Sequence, residues 1–295
     1  MKVTPRSSVN SLPAQHNAAM DSSTLPLSSR ADYATTSVRR VRGGTLEPAN
    51  QVDRVAEETP VALEYNGISH ATMLASPIDL EDYALGFSLT EGIIERPTEV
   101  RGIDVVPQHN GIVIQIELSS ACEVRLKERR RAMAGRTGCG LCGVETLPEV
   151  LRHIDPVSDT TPVPLASILR AMHAMRANQS LHDITGATHA AAWANAEGMI
   201  TIVREDVGRH NALDKLIGAL ARQATPTRDG IVLVSSRASF EMVQKCAAAG
   251  LGVLAAVSAP TALAIRLAHH ANVALIGFVR HADATIYSHA EHIQS

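Results

Sequence analysis

Aromatic residues make up only 3% of the chain, with a single tryptophan, so its core has to be built from Ala, Val, Leu and Ile, which a 45% apolar content supplies. There is no excess of basic charge: 27 Lys and Arg against 30 Asp and Glu leave a net charge of −3. That excludes the cationic face of a sequence-independent nucleic-acid binder. No apolar run approaches a membrane span, and the most apolar stretch, Leu251 to Val257, is strand-sized. The first residues are polar and lack the apolar core of a secretion signal. Four cysteines in 295 residues, two of them close together, do not make a disulfide framework. Nor is there a GxGxxG after a strand or a Walker A signature, so neither standard nucleotide cradle is available. The expectation is a cytoplasmic protein with reduced thiols and neither a nucleic-acid nor a membrane partner.

A chain of 295 residues suits one large domain or two of ordinary size. Residues 1–44 are rich in Ser, Thr, Ala and Pro with no apolar period, which predicts a disordered tail closed by Arg39, Arg40 and Arg42. Order is expected from about Val52. Val61 to Tyr65 and Ile68 to Met73 flank Asn66-Gly67, and Ile103 to Val106 and Ile112 to Ile116 flank Asn110-Gly111. Both are hairpin signals, because Asn and Gly accept φ > 0 at the turn. Asp79 to Glu91 has helical spacing, so residues 45–155 read as an α+β region. Beyond prolines 156, 162 and 164 the pattern changes. Strands and helices alternate from Leu165 to Phe278, with an amphipathic helix over Gly208 to Arg222. Such alternation predicts a three-layer α/β domain over 160–295.

Chemistry concentrates in a few segments. Cys139-Gly140-Leu141-Cys142 follows a basic stretch from Arg125 to Arg136, and Gly138, Gly140 and Gly143 predict a flexible loop. Neighbouring cations lower a thiol's pKa. Zinc ligation, a redox dithiol and sulfur relay all remain open for this pair, although no second compact pair of ligands completes a structural zinc site. Arg204 to Ala212 joins a strand to a helix, with Asp206 as a candidate N-cap and Arg209, His210 and Asn211 in the first turn, a favourable place for an anion. Ser235, Ser236 and Arg237 follow a buried-type strand, and Phe278, Val279, Arg280, His281, Ala282 and Asp283 follow another. Open α/β sheets bind ligands at such carboxyl ends. Cys246 lies on the apolar face of its helix and reads as core; Cys122 reads as structural.

Together these segments resemble the FdhD/NarQ family of formate dehydrogenase accessory sulfurtransferases. The resemblance rests on Gly135 to Glu145 around the CxxC, Thr185 to Ala191 (TGATHAA), Arg204 to Lys215 (REDVGRHNALDK), Ser235-Ser236-Arg237 and Gly277 to Arg280. It implies a cytidine-deaminase-like α/β domain, a homodimer, and a sulfur-carrying function. A cysteine desulfurase supplies sulfane sulfur, which is held as a persulfide on Cys139 with Cys142 assisting. The sulfur then passes to the bis-molybdopterin guanine dinucleotide form of the molybdenum cofactor, which goes on to formate dehydrogenase. The family's cofactor segment maps onto Phe278 to Asp283. Phosphate binding by Arg209, Arg237 and Arg280 is an expectation from their positions, and no tightly bound metal is expected. The rival readings are a chaperone that only binds the cofactor and a zinc-dependent deaminase, the latter disfavoured because no HxE precedes the CxxC.

Overall fold

The computed structural model describes residues 32–124, 126, 154–158 and 160–295. Cys139, Cys142, their loop, Arg125 and residues 127–136 of the basic stretch, the segment Leu147 to His153 and the first 31 residues lie outside the described residues.

The strands begin earlier than the composition suggests. β1 (Tyr33–Val38) precedes a short hairpin of β2 (Val41–Arg42) and β3 (Thr45–Leu46), then pairs antiparallel with β4 (Gln51–Ala56). The expected disordered tail therefore does not extend to residue 44. Neither strand of this ribbon buries a residue, so no apolar period marks it in the sequence.

β5 (Thr59–Tyr65), β6 (Ile68–Ala75), β7 (Val100–Gln108) and β8 (Gly111–Leu118) form a four-stranded sheet in the order β6-β5-β8-β7. Both hairpins form: the first turns on Asn66 at φ 49° and Gly67 at φ 76° as expected, whereas the second turns on His109 and Asn110, one residue earlier than expected, with Gly111 already paired to Gln108. Strict alternation buries Val61, Leu63 and Tyr65 on β5 and Ile112, Ile114 and Ile116 on β8. That face packs on α1 (Leu80–Thr90) through Tyr83, Ala84 and Phe87.

After β9 (Val163–Pro164) come α2 (Leu165–Met175), α3 (Ser180–Thr185), β10 (His189–Asn195), β11 (Ile200–Asp206), α4 (Arg209–Arg222), β12 (Gly230–Val234), α5 (Phe240–Ala248), β13 (Val253–Ala256), α6 (Ala262–His270), β14 (Ala274–Arg280), β15 (Asp283–Ser288) and β16 (Ile293–Gln294). Six of these strands make a mixed sheet in the order β11-β10-β12-β13-β14-β15, in which β12, β13 and β14 run parallel. Every residue of β12 and β13 is buried, as a strand covered on both faces requires. Ala191, Trp193, Val232 and Leu254 face α4, α5 and α6, whereas Ala190, Ala192, Ile231 and Leu233 face α2. Helices thus cover both faces. No helix among the described residues is long and apolar enough to cross a membrane.

The two regions meet where α1 crosses α4 with backbone touching backbone. A Cβ added at Gly86 would lie 1.7 Å from the Asp214 carbonyl oxygen, and one at Gly218 would lie 1.8 Å from that of Asp82. Only glycine fits at either position. Gly86→Ala is expected to cost about 3 kcal/mol or more through overpacking. Urea unfolding measures this, and an unchanged midpoint would contradict the crossing.

Candidate functional site

The segment Arg204 to Lys215 divides into residues that face inward and residues that face out. Asp206 and Lys215 are both 0% exposed, and Lys215 Nζ lies 2.6 Å from Asp206 Oδ2. The same oxygen accepts the Ser76 N–H (3.0 Å), while Oδ1 accepts the Gly208 N–H (2.7 Å) and one Asn211 amide N–H (3.1 Å). Lys215 Nζ also donates to the Ser76 carbonyl at 2.9 Å. Nearby, Arg204 donates to Asp82 Oδ2 from Nε (2.9 Å) and Nη2 (2.7 Å). Asp214 binds Lys245 through both carboxylate oxygens at 2.9 Å and accepts the Thr90 hydroxyl at 2.7 Å. Burial pulls Lys245 down, but Asp214 and Glu91 outweigh it and hold the ammonium above its ordinary pKa. Most of this charged segment is therefore an internal seam between α4, the end of β6 and α1.

Four sequence expectations need correction on this geometry. Asp206 is not the N-cap of α4; Gly208 occupies that position. Asn211 is buried and donates both amide hydrogens internally, to Leu74 O (2.8 Å) and Asp206, so none remains for a ligand. Ser236 is buried and donates its hydroxyl to the Arg237 carbonyl (3.0 Å). Val279 is 2% exposed and belongs to the core between the sheet and α2.

The outward features gather at the carboxyl ends of β12, β13 and β14. A cavity of about 570 Å³ lies between α2, the segment from Arg176 to His189, Ser235 and Val257. A second recess of about 250 Å³ shares Met172 and Val257 with it and reaches Arg280 and His281 on the β14–β15 hairpin. The larger volume falls within the roughly 300–1,000 Å³ usual for small-molecule sites. Among the described residues no Asp or Glu lines either space, whereas Arg176, His182, His189, Arg280 and His281 do. Phe278 at the bulge in β14 has φ 53° and is 43% exposed, an unusual setting for a large apolar side chain. His281 and Ala282 form the exposed hairpin turn, Asp283 opens β15 opposite Arg280, and Arg280 Nε donates to the Val257 carbonyl (3.1 Å). Arg237 is exposed and lines neither space.

Glu205 fixes the wall of the larger cavity. Its buried carboxylate accepts the backbone N–H of Leu181 and His182 (2.8 Å each) and the Thr188 hydroxyl (3.0 Å). His182 Nδ1 in turn donates to the Thr188 carbonyl at 2.7 Å. Desolvation, followed by the charge of Arg209 and by His182 and His210, lowers the pKa of His189, so its ring is neutral at pH 7. Arg209 Nε is buried and finds no partner among the described residues. His210 Nε2 meets Glu241 Oε2 at 2.6 Å. The wall residues Arg176, Gln179, His182, Thr188 and His189 were not anticipated as a site. The one sequence cue was TGATHAA at 185–191. Cys246 is buried in the core as expected, its thiol pushed far up by desolvation, and Cys122 is buried as well.

Comparison with known proteins bears on this geometry. The model of the FdhD/NarQ family matches residues 56–294. A protein named sulfur carrier protein FdhD from Bordetella petrii is 74% identical over 275 residues, covering 93% of this chain and 99% of its own. Proteins of the same name from Bordetella bronchiseptica and Cupriavidus necator are 65% and 54% identical over 262 residues, covering 89% of this chain and 95% and 90% of their own. A crystal structure from Desulfotalea psychrophila, described as that of a formate dehydrogenase accessory protein, superposes with a TM-score of 0.73 at 24% identity. It covers 90% of this chain and 100% of its own, and shares the fold.

The electrostatics of the cleft are open to direct titration. His189 is expected to titrate below 6.5 by NMR, and Arg209→Met should move its midpoint upward. A midpoint at or above 6.5 in the native chain would contradict the buried, cation-flanked setting.

Proposed function

The chain belongs to the FdhD/NarQ family, and from that premise we propose that it is a sulfur carrier serving formate dehydrogenase, a cytoplasmic homodimer that works as a persulfide-relay sulfurtransferase. Cys139 is the carrier. Its thiolate, favoured by Arg136 and the basic residues before it, attacks the outer sulfur of a cysteine desulfurase persulfide. The new S–S bond forms on Cys139, the donor's S–S bond breaks, and the desulfurase cysteine leaves as thiolate. Cys142, three residues on, assists or shuttles the sulfur. The acceptor is the molybdenum cofactor in its bis-molybdopterin guanine dinucleotide form, bound as substrate before it enters formate dehydrogenase.

The observation that carries this reading is the cleft at the ends of β12, β13 and β14, with Arg and His on its walls and no carboxylate lining it among the described residues. A cofactor with two nucleotide diphosphate groups needs such a lining. Arg280 and Arg209 hold phosphate oxygens by charge-assisted hydrogen bonds. His182 and Ser235 offer polar contacts from the wall, while Met172, Met175 and Val257 cover apolar ring faces. Phe278, exposed beside Arg280, is available to stack on a planar base. Arg237 serves as a further cation at the end of β12.

Intact mass spectrometry tests the carrier step. After incubation with a cysteine desulfurase and cysteine, the native chain is expected to gain one sulfur, which reduction removes. Cys139→Ala should gain none. A chain that never gains sulfur, or a Cys139→Ala variant that gains as much as the native chain, would overturn the relay and leave a chaperone that only binds the cofactor.

A further inference from the structure

The carboxyl-terminal turn gathers three metal-binding side chains that neither the cleft nor the carrier cysteines use. His289, Glu291 and His292 each present a ligand atom, and these atoms lie within 4.8 Å of one another. The turn is held at both ends. Before it, the Ser288 hydroxyl donates to the Val273 carbonyl (2.7 Å) and accepts the Leu275 N–H (3.1 Å). After it, β16 pairs with β9. Between these anchors His289 adopts φ 50°, a left-handed conformation that a non-glycine residue keeps only when its surroundings impose it. The donors are thus arranged in advance.

The hydrogen bonding of His289 asks for a cation. Its Nε2 lies 3.1 Å from the His269 carbonyl, which can only accept, so Nε2 carries the proton. In the neutral ring Nδ1 then presents a lone pair. That lone pair faces Glu291 Oε1, another acceptor, at 2.8 Å. Two acceptors this close need a positive charge to share, either a proton on the ring or a metal ion. The ring of His292 stacks on that of His289, with centroids 5.5 Å apart and planes 21° apart. Its Nδ1 is shielded from solvent with no partner among the described residues. The last turn of α6 adds the His269 carbonyl and the negative end of the helix, which favours a cation.

We propose that His289, Glu291 and His292 form a binding site for one divalent transition-metal ion of the zinc class, separate from Cys139 and Cys142. Two imidazoles and a carboxylate suit zinc rather than magnesium or calcium, which prefer all-oxygen shells. The bond from His289 Nε2 to a carbonyl is the outer-shell support that metal-bound histidines commonly have. Three protein ligands leave a position for water. The ion ties the turn to α6 and so keeps β16 seated on β9. The sequence points to no metal because the compact ligand signals, paired cysteines and HxxxH, do not include the His289-x-Glu291-His292 spacing.

The test uses the full chain after chelator treatment, with Cys139→Ser and Cys142→Ser so that thiolates contribute nothing. Titration with Zn²⁺ is expected to give one ion per chain and to raise the melting temperature. Co²⁺ in its place should give d–d absorption with no thiolate charge-transfer band. Adding His289→Ala and His292→Ala should abolish binding and the thermal shift. Glu291→Gln, at an exposed position, should weaken zinc by at least about tenfold. Absence of stoichiometric zinc, undiminished binding in the folded double histidine variant, or unchanged affinity in Glu291→Gln would each overturn the site.

Discussion

Everything else in the fold leans on the buried pair of Asp206 and Lys215. Removing both charges from water costs several kcal/mol per ion, and the structure offsets that cost with hydrogen bonds to nearly every available position. Asp206 accepts from Ser76, Gly208, Asn211 and Lys215, and Lys215 reaches the carbonyl of Ser76 besides. The partners come from three places that are far apart in sequence: the end of β6, the end of β11 and the middle of α4. The pair can be satisfied only when the α+β region and the α/β domain are docked. The direct helix crossing at Gly86 and Gly218 brings the backbones close enough for this to happen.

Once that seam is closed, the chemistry on the outer side follows from geometry. Docking fixes the end of β11, and Glu205, the residue before Asp206, reaches across to hold α3 and Thr188. Those bonds set the wall that carries His182 and His189. Beyond the seam, Arg209 and His210 are half-buried at the start of α4, where His210 meets Glu241. A single stretch of charged sequence thus does two jobs: Asp206 and Lys215 close the seam, and Glu205 holds the wall of the cleft. In the proposed relay, sulfur loaded at Cys139 has to reach a substrate held on walls that the seam positions.

Local structure was legible wherever the cue was local. The Asn66-Gly67 hairpin, the apolar alternation of β5 and β8, and the helices α4, α5 and α6 fall where turn chemistry and periodicity put them, and the second hairpin turns one residue early, on His109 and Asn110. The ribbon of β1 and β4 was not, because strands exposed on both faces show no period. The inward residues of the REDVGRHNALDK segment were misread for a different reason. A charged residue that meets a partner 130 positions away, as Asp206 meets Ser76, looks the same in sequence as one that meets a ligand. That ambiguity accounts for the expectation of Asn211 at an anion site and of Asp206 as a helix cap. Arg280, His281 and Ser235 line the cleft because they sit at strand ends, a property of topology that strand and helix alternation does reveal. The cleft wall from Arg176 to His189 depends on Glu205, and nothing near it in sequence announces that.

The central claim is that the cleft at the ends of β12, β13 and β14 holds the guanine dinucleotide end of the cofactor. Calorimetric titration with GDP, the nucleotide portion alone, tests it most directly when native chain and Arg280→Ala are compared at matched salt. The account predicts that the native chain binds, that its affinity falls as salt rises, and that Arg280→Ala, still folded, binds about tenfold more weakly or worse. Equal affinity in the two chains would contradict it.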